Sequence, residues 1–144
     1  MTGIEFHVNQ PDKVAYACRL IRKAHRSGAV AVVTGEKAVL EQLDALLWTF
    51  SPVEFISHQI VSETGDYVDG ASVWLAEHLT GCPPDAVLVN VGPGVPAEFE
   101  RFSRFFELVS SADTDLQAGR QRWKFYKDRG YSLTRYDPLA AAKA

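Results

Sequence analysis

The chain has 144 residues, which sets an expectation of one domain. It is 47% hydrophobic and 11% aromatic, enough for a real core, which excludes an intrinsically disordered chain; no apolar run approaches the roughly 20 residues of a membrane span. The formal net charge of −3 speaks against a general nucleic-acid coat, but the charge is uneven: residues 1–119 carry 8 Lys/Arg and 16 Asp/Glu, whereas residues 120–144 carry 7 and 2.

Residues 3–9 (GIEFHVN) alternate Ile4, Phe6 and Val8 with Glu5 and His7, the period of a strand. Pro11 and Asp12 open a helix, with Asp12 as its N-cap. Over residues 13–27, Val14, Ala17, Cys18, Ile21 and Ala24 recur at helical spacing; Arg19, Arg22, Lys23 and Arg26 lie on the other side, and Gly28 stops the helix. Residues 29–35 (AVAVVTG) read as a strand covered on both faces. Residues 36–48 predict a second helix with Val39, Leu40, Leu43, Leu46 and Leu47 as its buried stripe, ended by Ser51-Pro52.

Residues 53–61 (VEFISHQIV) predict an extended segment, 62–71 an exposed loop, 72–78 a short strand and 80–85 (TGCPPD) a turn. A second apolar strand at 86–91 runs into GPGVP, followed by a short helix at 97–102, a strand at 105–109, the last helix at 113–129 and an extended tail at 131–137. Strands alternating with helices predict a three-layer α/β/α domain with a mostly parallel central sheet, Rossmann-like, over residues 1–137, with 138–144 as a flexible tail.

The chemistry usual for that fold is missing from the sequence. The first two strands run into NQPDK and TGEK, neither of them a phosphate loop, and a lone GPG is a weak signal, so no nucleotide site is expected. His7, His25, His58 and His78 stand apart from one another and from ligand-spaced partners, so no metal is expected; His7 and His58 read as hydrogen-bonded structural residues and His25 as exposed. Glu5, Asp12 and Asp44 read as solvated carboxylates. Cys18 and Cys82 read as free thiols, Cys18 buried and inert. With no secretory start, a cytoplasmic chain without cofactor or catalytic residue is the expectation.

Two surfaces stand out. On the last helix Arg120, Trp123, Lys124 and Lys127 share a face, with Leu116 one turn earlier; Arg122, Tyr126 and Arg129 point elsewhere and Phe125 toward the core. An indole among cations suits a peptide ending in an apolar residue with a free carboxylate. The same strip is compatible with an ordinary solvated basic face, or with a direct single-stranded nucleic-acid module. The second surface, LDALLWTFSPVEFISH, places Trp48, Phe50 and Phe55 around the Ser-Pro break, as interface anchors or as caps on the core; composition does not separate the two.

The blocks EFHVNQPDKVAYACRLIRKAHRSG, LDALLWTFSPVEFISH, VLVNVG and RQRWKFYKDRGYSL run nearly end to end, and with them the chain resembles the chi-subunit family of bacterial DNA polymerase III. The resemblance implies a non-catalytic adaptor that joins the psi subunit of the clamp loader to the acidic C-terminal tail of single-stranded DNA-binding protein, which ends in Pro-Phe. It touches nucleic acid only indirectly and no membrane. By position, the resemblance gives Arg120 the terminal carboxylate and Val109 and Trp123 the Phe pocket. Lys124 and Tyr126 flank that pocket, with Lys127 on the same strip. Some relatives have Tyr in place of Trp123 and Lys in place of Leu116. Trp48 and Phe55 would face psi, or a repair helicase that uses the same surface.

Overall fold

A seven-stranded sheet with every pairing parallel organises the chain, in the order β3-β4-β2-β5-β6-β1-β7. The computed structural model describes residues 2–49, 58–61, 71–82 and 85–138. In chain order the elements are β1 (Gly3–Gln10), α1 (Lys13–Arg26), β2 (Ala31–Thr34), α2 (Lys37–Thr49), β3 (His58–Ile60), β4 (Val73–Ala76), β5 (Val87–Asn90), β6 (Arg104–Ser110), α3 (Asp113–Asp128) and β7 (Ser132–Tyr136).

Each face of the sheet carries its own core, so β2, β4 and β5 are buried at every position. On one face α1 and α2 cover Ala31, Val33, Leu75, Val89 and Leu108. On the other, α3 and the turn before β6 cover Ile4, Phe6, Val32, Leu88 and Phe105. This is the expected three-layer fold. Asp12 caps α1, accepting from the Ala15 N–H at 3.0 Å, and Gly28 leaves the helix at φ 82°, a conformation glycine takes without penalty.

Two expectations change, and a third is met in the part that is described. Residues 131–137 are no tail: β7 pairs with β1 from Gly3↔Ser132 to His7↔Tyr136 and becomes an edge of the sheet. The helix expected at 97–102 is a single 3-10 turn, Phe99–Arg101. Of the segment expected at 53–61, β3 is the strand among the described residues; Phe50, Phe55 and residues 139–144 of the expected tail lie outside them.

One polar cluster fixes the outer layer. Glu107 of β6 is fully buried and Arg122 of α3 is 2% exposed, with Arg122 Nε 3.1 Å from Glu107 Oε1. The Tyr126 hydroxyl donates to Glu107 Oε2 at 2.5 Å, and Asn90 Nδ2 donates to Oε1 at 2.9 Å. Asn90 also donates to the Gly94 carbonyl, and Arg122 Nη1 to the Pro93 carbonyl at 2.8 Å, so the turn after β5 is tied into the same cluster. Burial pushes the Glu107 carboxyl from its ordinary 4.5 up to about 7, against the opposing pull of Arg122, Tyr126 and Asn90. Between those two values the folded state holds a proton the unfolded chain releases. The stability this contributes is full below about 4.5 and is lost as pH rises through about 7. Above that, Arg122 is what compensates the buried charge. Arg122→Met is therefore expected to destabilise the fold by about 3–5 kcal/mol at pH 8 and by clearly less at pH 5, where Glu107 is protonated. Urea unfolding at the two pH values measures this, and an equal loss at both contradicts the assignment.

Candidate functional site

A cleft of about 430 Å³ opens between α3 and the carboxyl ends of β6, β1 and β7. Parallel sheets commonly bind ligands at that end, because strands stop there and helices begin. Its apolar lining is Phe6 and Val8 of β1, Val109 of β6, and Leu116 and Trp123 of α3. Trp123 stands edge-on to Phe6, with ring centroids 5.1 Å apart. Arg120 and Arg135 supply the charge, one from the helix and one from β7, and Asn9 of β1 adds a polar side chain to the lining.

Local sequence explains the opening. Gly119 faces inward on α3, and a Cβ there would lie 2.8 Å from Val109 Cγ2, so only glycine lets the helix sit this close to β6. Asp115 fastens the start of the helix: its Oδ2 accepts from the Ser110 N–H at 2.7 Å and pairs with Lys13 Nζ at 2.9 Å. Burial raises its carboxyl, but the Ser110 N–H and Lys13 together hold it below the usual range.

The structure brings Val109, Arg120 and Trp123 into one cleft, with Leu116 beside them. Arg120 is exposed and Trp123 half-buried, so the cleft offers a guanidinium at its exposed side and an indole in its wall. Lys124 and Lys127 are exposed on the same helix but do not line the cleft. Tyr126, expected at the flank of the pocket, is a correction: it is fully buried, and its hydroxyl is committed to Glu107. Phe125 packs half-buried against the core beside Tyr126, as expected, with the Arg129 guanidinium over its ring at 3.5 Å from the centre, while Arg122 and Tyr126 take the fully inward positions. Arg135 and Asn9 were missed. Reading β7 as a tail gave Arg135 no neighbours, although its odd-numbered match with Leu133 marks a shared face once the strand is known.

Trp48 lies at the far edge of the sheet, 60% exposed at the end of α2, its ring 4.8 Å from that of His58. Of the four large hydrophobic residues exposed among the described ones, three (Leu46, Trp48 and Ile60) belong to α2 and β3. His58 pairs with Asp44 at 3.2 Å, and His7 bonds the Tyr16 hydroxyl, as expected of structural histidines; His25 is half-buried rather than exposed. Glu5 and Asp44 go to different histidines and Asp12 to a helix end, so the three carboxylates have three separate roles. Cys18 and Cys82 are buried free thiols, and burial pushes Cys18 up to about 11, away from reactivity. Among the described residues no group of three or more His, Cys, Asp and Glu could hold a metal, and no helix is long and apolar enough to cross a membrane.

The family model described as "DNA polymerase III chi subunit, HolC" matches residues 1–134. The chain belongs to the DNA polymerase III chi-subunit family. It is 33% identical over 141 residues to the DNA polymerase III subunit chi of Pseudomonas aeruginosa, covering 92% of this chain and 94% of that one. To the subunit chi of Haemophilus influenzae it is 25% identical over 120 residues, 82% of each chain. Membership of this family gives the chain an accessory role in replication.

Gly119→Ala tests the α3 wall of the cleft. Alanine favours a helix by about 1 kcal/mol over glycine. The contact with the stiff Val109 side chain is expected to outweigh this, giving a net loss of about 1–2 kcal/mol in chemical denaturation. A stabilised variant would show that α3 does not need its close approach to β6.

Proposed function

We propose that the chain is a non-catalytic adaptor of the polymerase III holoenzyme, binding the acidic C-terminal tail of single-stranded DNA-binding protein in the α3 cleft and the psi subunit at the Trp48 edge. The observation that carries this reading is the meeting of Arg120, Trp123 and Val109 in one open cleft of about 430 Å³. A terminal Phe fits an apolar recess walled by an indole, and its carboxylate fits a bidentate guanidinium at the rim. Lys124 and Lys127, exposed on the same helix, would draw the acidic stretch of the tail and speed encounter. Neither role requires bond chemistry, so the chain is expected to need no cofactor.

Trp48 and Phe55 are the anchors proposed for the psi surface; Phe55 lies outside the described residues. The large exposed Trp48 ring at a sheet edge suits a protein interface, and a repair helicase is the other candidate for it. The edge strand β3 and the cleft strand β1 are five strand spacings apart, roughly 24 Å at ~4.8 Å per strand. Sites so far apart are expected to act independently. A direct single-stranded nucleic-acid site on α3 is the competing reading, favoured only by the cations.

Arg120→Ala is expected to weaken binding of a peptide ending in Pro-Phe by about 1–3 kcal/mol in calorimetry. An unchanged dissociation constant removes Arg120 from the site. Trp48→Ala is expected to abolish co-purification with psi while leaving peptide affinity intact. Steep, salt-dependent retention of a bare oligonucleotide, with no peptide binding, would favour the competing reading.

A further inference from the structure

Arg135 lines the cleft from β7, whereas Arg120 lines it from α3. Arg135 stands in register with Phe6 of β1, two residues after Leu133, whose side chain packs on the α3 side of the sheet. Strand alternation therefore turns Arg135 to that face. Its side chain is 58% exposed, and Nη2 lies 3.3 Å from Asp137 Oδ2. The same oxygen accepts from Asn9 Nδ2 at 2.8 Å. Asn9 adopts φ 55°, a left-handed conformation asparagine tolerates, where the β1 register against β6 shifts between His7 and Gln10. That irregularity aims the amide across the rim. An internal carboxylate is thus held at the cleft edge by an amide and a guanidinium, the donors a peptide carboxylate would use.

We propose that Arg135 is a second anion ligand of the cleft and Asp137 its resident occupant, so that the cleft selects a polypeptide end carrying two negative charges. The terminal carboxylate goes to Arg120, and an acidic side chain further back along the peptide goes to Arg135, displacing Asp137. This rests on the peptide-tail reading and adds a residue and a competition to it. The two guanidiniums come from separate elements, α3 and β7, and share the cleft with Phe6 and Trp123, a lining that matches two anionic groups joined by an apolar one. The Arg135–Asp137 pair is partly solvated and weak enough to exchange. Arginine's five donors also allow an incoming carboxylate to bond before the resident one leaves.

The test is calorimetry of the full chain and its Arg135→Gln and Asp137→Asn variants with two peptides. One is a short acidic peptide ending in Pro-Phe, and the other has its Asp residues replaced by Asn. Arg135→Gln is expected to weaken the acidic peptide about tenfold and the neutral one little. Asp137→Asn, which keeps an acceptor for Asn9 but removes the charge, is expected to tighten the acidic peptide about threefold. A purely structural role for either residue would not produce that tightening. If the unaltered chain binds neither peptide, the tail reading itself falls and the proposal with it. If it binds but Arg135→Gln weakens both peptides equally, or neither, Arg135 is no acid ligand and the proposal alone falls. Unchanged affinity in Asp137→Asn overturns the competition. Displacement of the peptide by oligothymidylate through Arg135 would assign the site to phosphate instead.

Discussion

A rotation of α3 by one residue would scatter the cleft, and the buried Glu107–Arg122 pair is what opposes it. Glu107 has no water to fall back on, so it needs Arg122, Tyr126 and Asn90 together. Only one rotation of the helix delivers both Arg122 and Tyr126, four residues apart, to that carboxylate. With Arg122 inward, Trp123 falls against Phe6 in the wall and Arg120 onto the rim. A buried ion pair contributes little net stability, but here it specifies orientation, the use for which such pairs are best suited. Its reach extends to the turn after β5 through the Pro93 and Gly94 carbonyls, so β5, β6 and α3 share one polar hub.

The sheet then sets the distance between surfaces. The exposed Trp48 belongs to the β3 side and the cleft to the β6-β1-β7 side, with the buried strands β4, β2 and β5 between. On the proposed reading, a wide sheet suits an adaptor, since it holds the two surfaces five strand spacings apart. On that reading each contact is small. DNA coated with single-stranded DNA-binding protein would present many tails at once, and a weak site gains by that effective concentration.

Much of this was legible in the residues. The unbroken apolar runs of β2 and β5 declared a sheet buried on both faces, and the Asp12 and Gly28 signals bounded α1. The spacing of Leu116, Arg120 and Trp123 put them on one helical face, and the structure keeps them together. What the sequence hid was partnership at long range. Arg122 looked like one more surface cation because nothing local announces Glu107, fifteen residues earlier on another element. Tyr126 was placed at the flank by position alone, whereas the inward turn that buries it depends on that same carboxylate. Arg135 was invisible for a related reason: the pairing of β7 with β1 joins the two ends of the chain, and a short polar stretch carries little sign of such a partner.

The three tryptophans offer the most direct test, because each reports a different place: Trp123 the cleft wall, Trp48 the far edge and Trp74 the core. In a heteronuclear NMR titration of the whole chain with a peptide ending in Pro-Phe, the Trp123 indole N–H is expected to shift progressively. The Trp74 and Trp48 signals are expected to stay in place. A titration in which Trp48 moves and Trp123 does not would contradict the assignment of the cleft.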